Sequence, residues 1–187
     1  HYYAYFDPGM PDLNYHNPAV TEEITRIVTF WLKEVGVDGF RIDAAKHLFE
    51  NGAKRENVPE TYAWFADFHR VLKAANPQAF TVGEVYGAGA RLVSTYTGDK
   101  LDMVFNFEVA TGIVNSVKGE SSSGITSAIK FTLMDMPSWQ FATFLTNHDQ
   151  DRVMNVLGGS VDKAKTAATI LLTLPGTPFI YYGEEIG

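Results

Sequence analysis

Gly39-Phe40-Arg41-Ile42-Asp43 is an apolar run of β character that ends on a carboxylate, and the same ending recurs twice further along the chain. Thr81-Val82-Gly83-Glu84 and Phe144-Leu145-Thr146-Asn147-His148-Asp149 finish in the same way. A buried strand gains nothing from a terminal acid unless the acid is needed where the strand stops. Endings of this kind, separated by helix-patterned segments, suggest a pocket assembled from the carboxyl ends of parallel strands. That face is where (β/α) barrels carry their active sites.

The surrounding pattern agrees. Asn17-Pro18 is a helix start, with Asn as N-cap and Pro at the first helical position. Val20, Ile24, Ile27, Val28, Trp31, Leu32 and Val35 then recur on one helical face until Gly36 closes the helix. A strand is predicted over 37–44. A second amphipathic helix is predicted over 60–75, carried by Tyr62, Phe65, Phe68, Val71 and Leu72 and stopped by Asn76-Pro77. Further strands are expected over 80–85, 101–107, 141–146 and 178–182, and further helices over 88–96, 109–117, 125–134 and 161–174. Gly119 to Gly124 (Gly-Glu-Ser-Ser-Ser-Gly) reads as a flexible, linker-like loop. The alternation predicts an α/β chain with a parallel sheet and flanking helices. The strands are too few to close an eight-stranded barrel and suit its later portion, about strands 4 to 8.

Composition narrows the function. A chain of 187 residues makes one ordinary domain, and 45% hydrophobic with 20% charged residues is a globular balance. The formal charge of −7, with basic residues scattered, argues against a nucleic-acid partner. No stretch reaches the roughly 20 apolar residues that span a bilayer, so no membrane partner is expected. Absence of Cys excludes disulfides and thiolate metal sites. A secreted or periplasmic location is favoured over a cytoplasmic one. The chain opens on His1-Tyr2-Tyr3 and stops at Glu184-Glu185-Ile186-Gly187, which reads as an internal piece of a longer protein.

The acids can be given roles by chemistry alone. Arg41 and Asp43 are two residues apart on a strand and so point to the same side. A carboxylate beside a guanidinium stays charged and can serve as a nucleophile. Glu84 has no basic neighbour in sequence, and a walled pocket near two other acids suits it to proton donation. That pair is the machinery of glycoside hydrolysis. Asp149 would be a third acid, holding sugar hydroxyls and stabilising positive charge at the ring.

Gly39 to His47, Gly83-Glu84-Val85 and Thr146-Asn147-His148-Asp149 resemble three signature regions of the alpha-amylase family, glycoside hydrolase family 13. Met10-Pro11-Asp12-Leu13-Asn14 is similar to a further signature near the end of the family's inserted domain B. Gly176-Thr177-Pro178-Phe179-Ile180-Tyr181-Tyr182-Gly183-Glu184-Glu185 resembles its eighth strand. The resemblance implies that residues 1–16 end domain B and return to the barrel. It also implies that 17–187 are a partial catalytic (β/α)8 barrel, with the early strands and a C-terminal domain lying outside this chain.

By the same resemblance, Asp43 is the nucleophile, Glu84 the general acid and base, and Asp149 the transition-state stabiliser. Arg41 orients Asp43, and His148 binds sugar hydroxyls. The family retains anomeric configuration, which implies Asp43 and Glu84 carboxyl groups roughly 5 Å apart. Lys46 and His47 follow the nucleophile at the spacing of enzymes that cut internal α-1,4 bonds, where they line the leaving-group side. The expected activity is therefore alpha-amylase-like cleavage of starch-type α-glucans. α-Glucosidase, oligo-1,6-glucosidase and cyclomaltodextrinase or neopullulanase are the near alternatives. Tyr86 is the expected stacking aromatic. Asp12 and the backbone carbonyl of His47 are the expected ligands of a structural Ca²⁺, an ion that takes oxygen donors. Two other classes compete: a non-catalytic amylase-like binding subunit, which generally loses members of the acidic trio, and a metallohydrolase built on His148, Asp149 and Asp151.

Overall fold

The computed structural model describes residues 2–187, so His1 of the opening tripeptide lies outside the described residues. The chain divides into two compact units, one ending at Thr81 and the other beginning at Val82.

In the first unit, α1 (Pro18–Phe30) starts as expected, with Asn17 Oδ1 accepting from the Ala19 N–H at 3.1 Å. The helix then widens into a π-turn over Trp31–Val35, and Gly36 (φ +80°) donates its N–H to Trp31 O at 2.9 Å. Of the expected apolar face, only Val28 and Leu32 are fully buried, whereas Ile27, Trp31 and Val35 stay exposed. β1 spans Gly39–Ile42 and is shorter than the predicted 37–44. Its start is delayed because the Val37 N–H bonds back to Trp31 O, and it ends early because Ala44 is left-handed. Phe80 N donates to Asp38 O at 2.9 Å, and a Cβ at Gly39 would stand 1.9 Å from Phe80 O. Only glycine permits that approach.

α2 (Pro59–Ala75) buries Thr61, Phe65, Phe68 and Leu72 and stops at extended Asn76 ahead of Pro77. Phe65 and Leu72 are fully buried, each worth about 1.5–3 kcal/mol of transfer free energy. Trp64 stacks on Phe68 and donates its indole N–H to Thr21 Oγ1 at 2.9 Å, which ties α2 to α1.

β2 (Phe80–Gly83) leads into the second unit. The segment predicted as a helix over 88–96 is a short α3 (Ala90–Val93) followed by a 3₁₀ turn. Then come β3 (Met103–Phe105), α4 (Phe107–Lys118), α5 (Ser123–Asp135), β4 (Phe141–Thr143), α6 (Val153–Val156), α7 (Val161–Thr173) and β5 (Thr177–Pro178). The strands pair in parallel, with Val82 opposite Met103, Val104 opposite Phe141, and Ala142 opposite Thr177. Behind them, α4, α5 and α7 pack through Val109, Ile113, Ile125, Ala128, Ala167 and Leu171.

β3 and β4 are shorter than the predicted 101–107 and 141–146, and two further expectations are corrected in this unit. The Gly119–Gly124 stretch is a tight turn, because Ser121 N bonds Ser116 O and the buried Ser116 hydroxyl accepts the Ile125 N–H at 2.9 Å. α5 accordingly begins at Ser123, inside the expected loop. The strand predicted over 178–182 stops at Pro178, since the chain turns from Tyr181 onto Glu184 (Glu184 N to Tyr181 O, 3.0 Å). Among the described residues no helix is long and apolar enough to cross a membrane.

Candidate active site

In the first unit, Asp43 sits directly after β1 and takes a hydrogen bond from Arg41 Nη1. The pair lies on one side of the strand, as its spacing requires. The Asp43 side chain is 74% exposed, so its carboxylate is open to a ligand. Ala44 follows at φ +43°, a conformation costing an alanine about 1 kcal/mol. It sends the chain at once into a single 3₁₀ turn, Ala45–His47, closed by His47 N on Ala44 O at 2.9 Å.

That turn directs Lys46 and His47 toward the loop 50–58. Lys46 Nζ lies 2.6 Å from Glu56 Oε2 with its side chain only 14% exposed, and His47 Nε2 is 3.7 Å from the same oxygen. His47 Nδ1 is 3.1 Å from the Arg55 carbonyl, which assigns the proton to Nδ1. The Asn57 N–H adds a bond to Lys46 O at 3.0 Å. The hydrogen bond from Lys46 holds the Glu56 carboxyl below the usual range, against the opposing effect of burial. Both basic residues thus brace this loop. Sequence reasoning did not find Glu56, since only its position in the fold makes it their partner.

Asp12 Oδ2 accepts the Tyr5 N–H at 2.8 Å, and the Tyr5 ring lies 4.4 Å from the His47 ring. Tyr5 thus contacts both residues expected to donate to calcium, Asp12 by its N–H and His47 by its ring. A carboxylate and a carbonyl are the hard oxygens calcium takes, but the ion needs six to eight of them. Among the described residues no group of three or more His, Asp or Glu side chains gathers for a metal.

In the second unit, Glu84 follows β2 and is half-buried. A Cβ at Gly83 would come 2.3 Å from Leu101 Cδ1, so this strand end lies tight against Leu101. Tyr86 is 60% exposed and edge-on to Phe107 at 5.1 Å, available as a flat surface. After β4 the chain stays buried through Thr146 and then turns outward. Asn147 shapes that turn: its Oδ1 accepts the Asp149 N–H at 3.0 Å and its carbonyl accepts the Gln150 N–H at 3.2 Å. His148 Nε2 and Asp149 Oδ2 stand 3.4 Å apart with side chains 59% and 65% exposed. Trp139 is also exposed. Glu184 and Arg152, which carry no expected role from the sequence, lie beside this turn; Glu184 falls within the stretch 176–185 that resembles the family's eighth strand.

The geometry has clear relatives. The pattern of the family described as "Alpha amylase, catalytic domain" matches residues 1–187. Alpha-amylase 3 of Dictyoglomus thermophilum is 45% identical over all of this chain, which covers 36% of that protein. The 4-alpha-glucanotransferase of Thermotoga maritima is 34% identical, again over the whole chain and 39% of the relative. The crystal structure of alpha-amylase from H. orenii superposes with a TM-score of 0.88 at 39% identity, covering 98% of this chain and 38% of that one. The chain thus spans little more than a third of the proteins it matches, and its parallel strands and flanking helices are a portion of their (β/α) barrel. Full-length agreement in pattern, sequence and fold shows that the chain belongs to the alpha-amylase family of glycoside hydrolases and transglycosylases, glycoside hydrolase family 13.

Proposed function

We propose that this chain carries the catalytic acids of a retaining enzyme that cleaves internal α-1,4-glucosidic bonds of starch-like α-glucans. The observation that carries the reading is the exposed Asp43 carboxylate bonded to Arg41 at a strand end. It occurs in a chain 45% identical from end to end to Alpha-amylase 3. In the first step an Asp43 oxygen bonds to the anomeric carbon while the glycosidic C–O bond breaks, and Glu84 gives its proton to the departing oxygen. In the second step Glu84 takes a proton from water, the water oxygen bonds to the anomeric carbon, and the bond to Asp43 breaks. Asp149 stabilises the oxocarbenium-like charge, and His148 holds sugar hydroxyls beside it. Arg41 keeps Asp43 oriented. Lys46 and His47 shape the leaving-group side through the loop they brace, and Tyr86 stacks on a ring. Asp12 and the His47 carbonyl would hold a structural Ca²⁺ together with oxygens from elsewhere in the complete protein.

The test uses the complete polypeptide. Glu84→Gln is expected to lower kcat on soluble starch about 10²- to 10⁴-fold, and Asp43→Asn by more. The first-formed product, followed by NMR, should keep the α configuration; β product overturns the two-step displacement. Size-separated products from starch, pullulan and cyclodextrins distinguish internal α-1,4 cleavage from the activities of neighbouring members. Metal analysis with and without chelator tests the calcium site.

A further inference from the structure

We propose that Glu184 and Arg152 are positioning residues that clamp the turn bearing His148 and Asp149 from its two ends. The proposal rests on the function above and adds two residues to it.

The hydrogen bonds that shape the turn are local: Asn147 accepts the Asp149 N–H on its side chain and the Gln150 N–H on its carbonyl, and His148 Nε2 stands 3.4 Å from Asp149 Oδ2. The anchors lie at either side. Before the turn, buried Thr146 donates its hydroxyl to Glu184 Oε1 at 3.0 Å. The other oxygen, Oε2, accepts the Tyr181 N–H at 3.2 Å. One carboxylate thereby receives donors from two loops. After the turn, Arg152 Nη1 donates to the Tyr182 carbonyl. Its guanidinium carbon lies 4.6 Å and 4.4 Å from the centroids of the Tyr181 and Tyr182 rings, within cation–π range. Gly183, at φ +85°, joins the two anchor points, and a Cβ there would come 3.2 Å from Arg152 Nη1. Both ends of the segment 146–152 are therefore fastened to the segment 181–184.

Such a clamp matters because charge stabilisation depends on placement. A displacement of about 1 Å at a reacting group can cost about 10²-fold in rate. Neither clamp residue needs to touch the sugar. Their role is to hold Asp149 and His148 at one height above the strand end.

The experiment uses the complete polypeptide with ¹³C-labelled histidine and the variants Glu184→Gln, Arg152→Lys, Thr146→Val and Thr146→Ser. Three quantities are read: kcat and KM on soluble starch, the NMR titration midpoint of His148, and Tm. Glu184→Gln and Arg152→Lys should lower kcat about 10- to 100-fold with KM nearly unchanged, and should move the His148 midpoint. Thr146→Val deletes no charged side chain, so a moved midpoint there follows from loss of the Thr146–Glu184 bond and not from a deleted charge. It also serves if Glu184→Gln does not fold. Thr146→Ser restores the hydroxyl and should behave as the parent. A His148 midpoint unmoved in Thr146→Val overturns the clamp, whatever kcat does. A parent protein that releases no sugar from α-glucans defeats the proposed function instead, while the midpoint still decides the clamp.

Discussion

The turn after β1 and the turn after β4 each present a carboxylate at a strand end, but they are held by different kinds of neighbour. Asp43 is held by Arg41, two residues away, and the following turn is braced by Lys46 and His47 on Glu56, about ten residues on. His148 and Asp149 depend on partners much further along the chain: Thr146 meets Glu184 across 38 residues, and Arg152 meets Tyr182 across 30. A short-range brace survives small shifts of the fold, because its partners move together. A long-range brace is only as good as the packing of the two strands it joins. The second turn should therefore be the more sensitive to changes remote from the chemistry.

The largest expected effect tests whether β1 tolerates any change in its packing. Gly39→Ala would push a Cβ into the Phe80 backbone, which cannot move aside without shifting a strand, and should cost about 3 kcal/mol. Gly83→Ala meets the Leu101 side chain, which can rotate, and should cost about 1 kcal/mol. Denaturant unfolding of the complete polypeptide measures both. Equal losses would mean that backbone and side-chain obstruction do not separate the two strands.

A smaller effect separates the two braces by pH. The folded-state pKa of Glu56 is depressed by Lys46. Its contribution is thus present at neutral pH and is lost as pH falls through that depressed value. Glu184 has the opposite sign, because burial raises its carboxyl despite the donors from Thr146 and Tyr181. Its ionised form costs stability at neutral pH, and that cost fades as pH falls through the raised value toward the unfolded one. The difference in Tm between parent and Glu184→Gln should therefore shrink or reverse first on acidification. The difference for Glu56→Gln should change only at lower pH. The reverse order would contradict the assignment.

The smallest effect is the Glu56 brace itself. Glu56 is partly exposed, and screening limits the pair to about 1 kcal/mol at most. Glu56→Gln should barely move Tm yet expose the loop 50–58 to proteolysis, with cleavage read by mass spectrometry. An uncut loop would show that its other bonds, from Asn57 N to Lys46 O and from His47 Nδ1 to Arg55 O among them, suffice to hold it.

Much of this was legible without coordinates. The Asn17-Pro18 start, the Asn76-Pro77 stop and the Gly36 closure all came through, because caps and breakers act within a few residues. The Arg41–Asp43 pair was legible for the same reason, since strand periodicity alone puts both on one side. The misreadings have a common cause. The Ser-rich stretch before α5 read as a linker because its composition says nothing of the buried Ser116 hydroxyl that orders it. The run after Pro178 read as strand because its apolar residues conceal the turn that the Glu184 carboxylate imposes on Tyr181. Lys46 and His47 carried no sign of their shared partner.

Local chemistry in the chain was enough to determine the alternation of strands with helices and to put Asp43 and Glu84 directly after strands. Those features depend on periodicity, caps and breakers, whose physics reaches only a few residues. Tertiary structure alone decided which distant groups hold the acid-bearing turns: Glu56 under Lys46, and Glu184 with Arg152 around the His148–Asp149 turn. A hydrogen bond forms only where folding has brought donor and acceptor within about 3 Å, and no spacing in the sequence records that meeting.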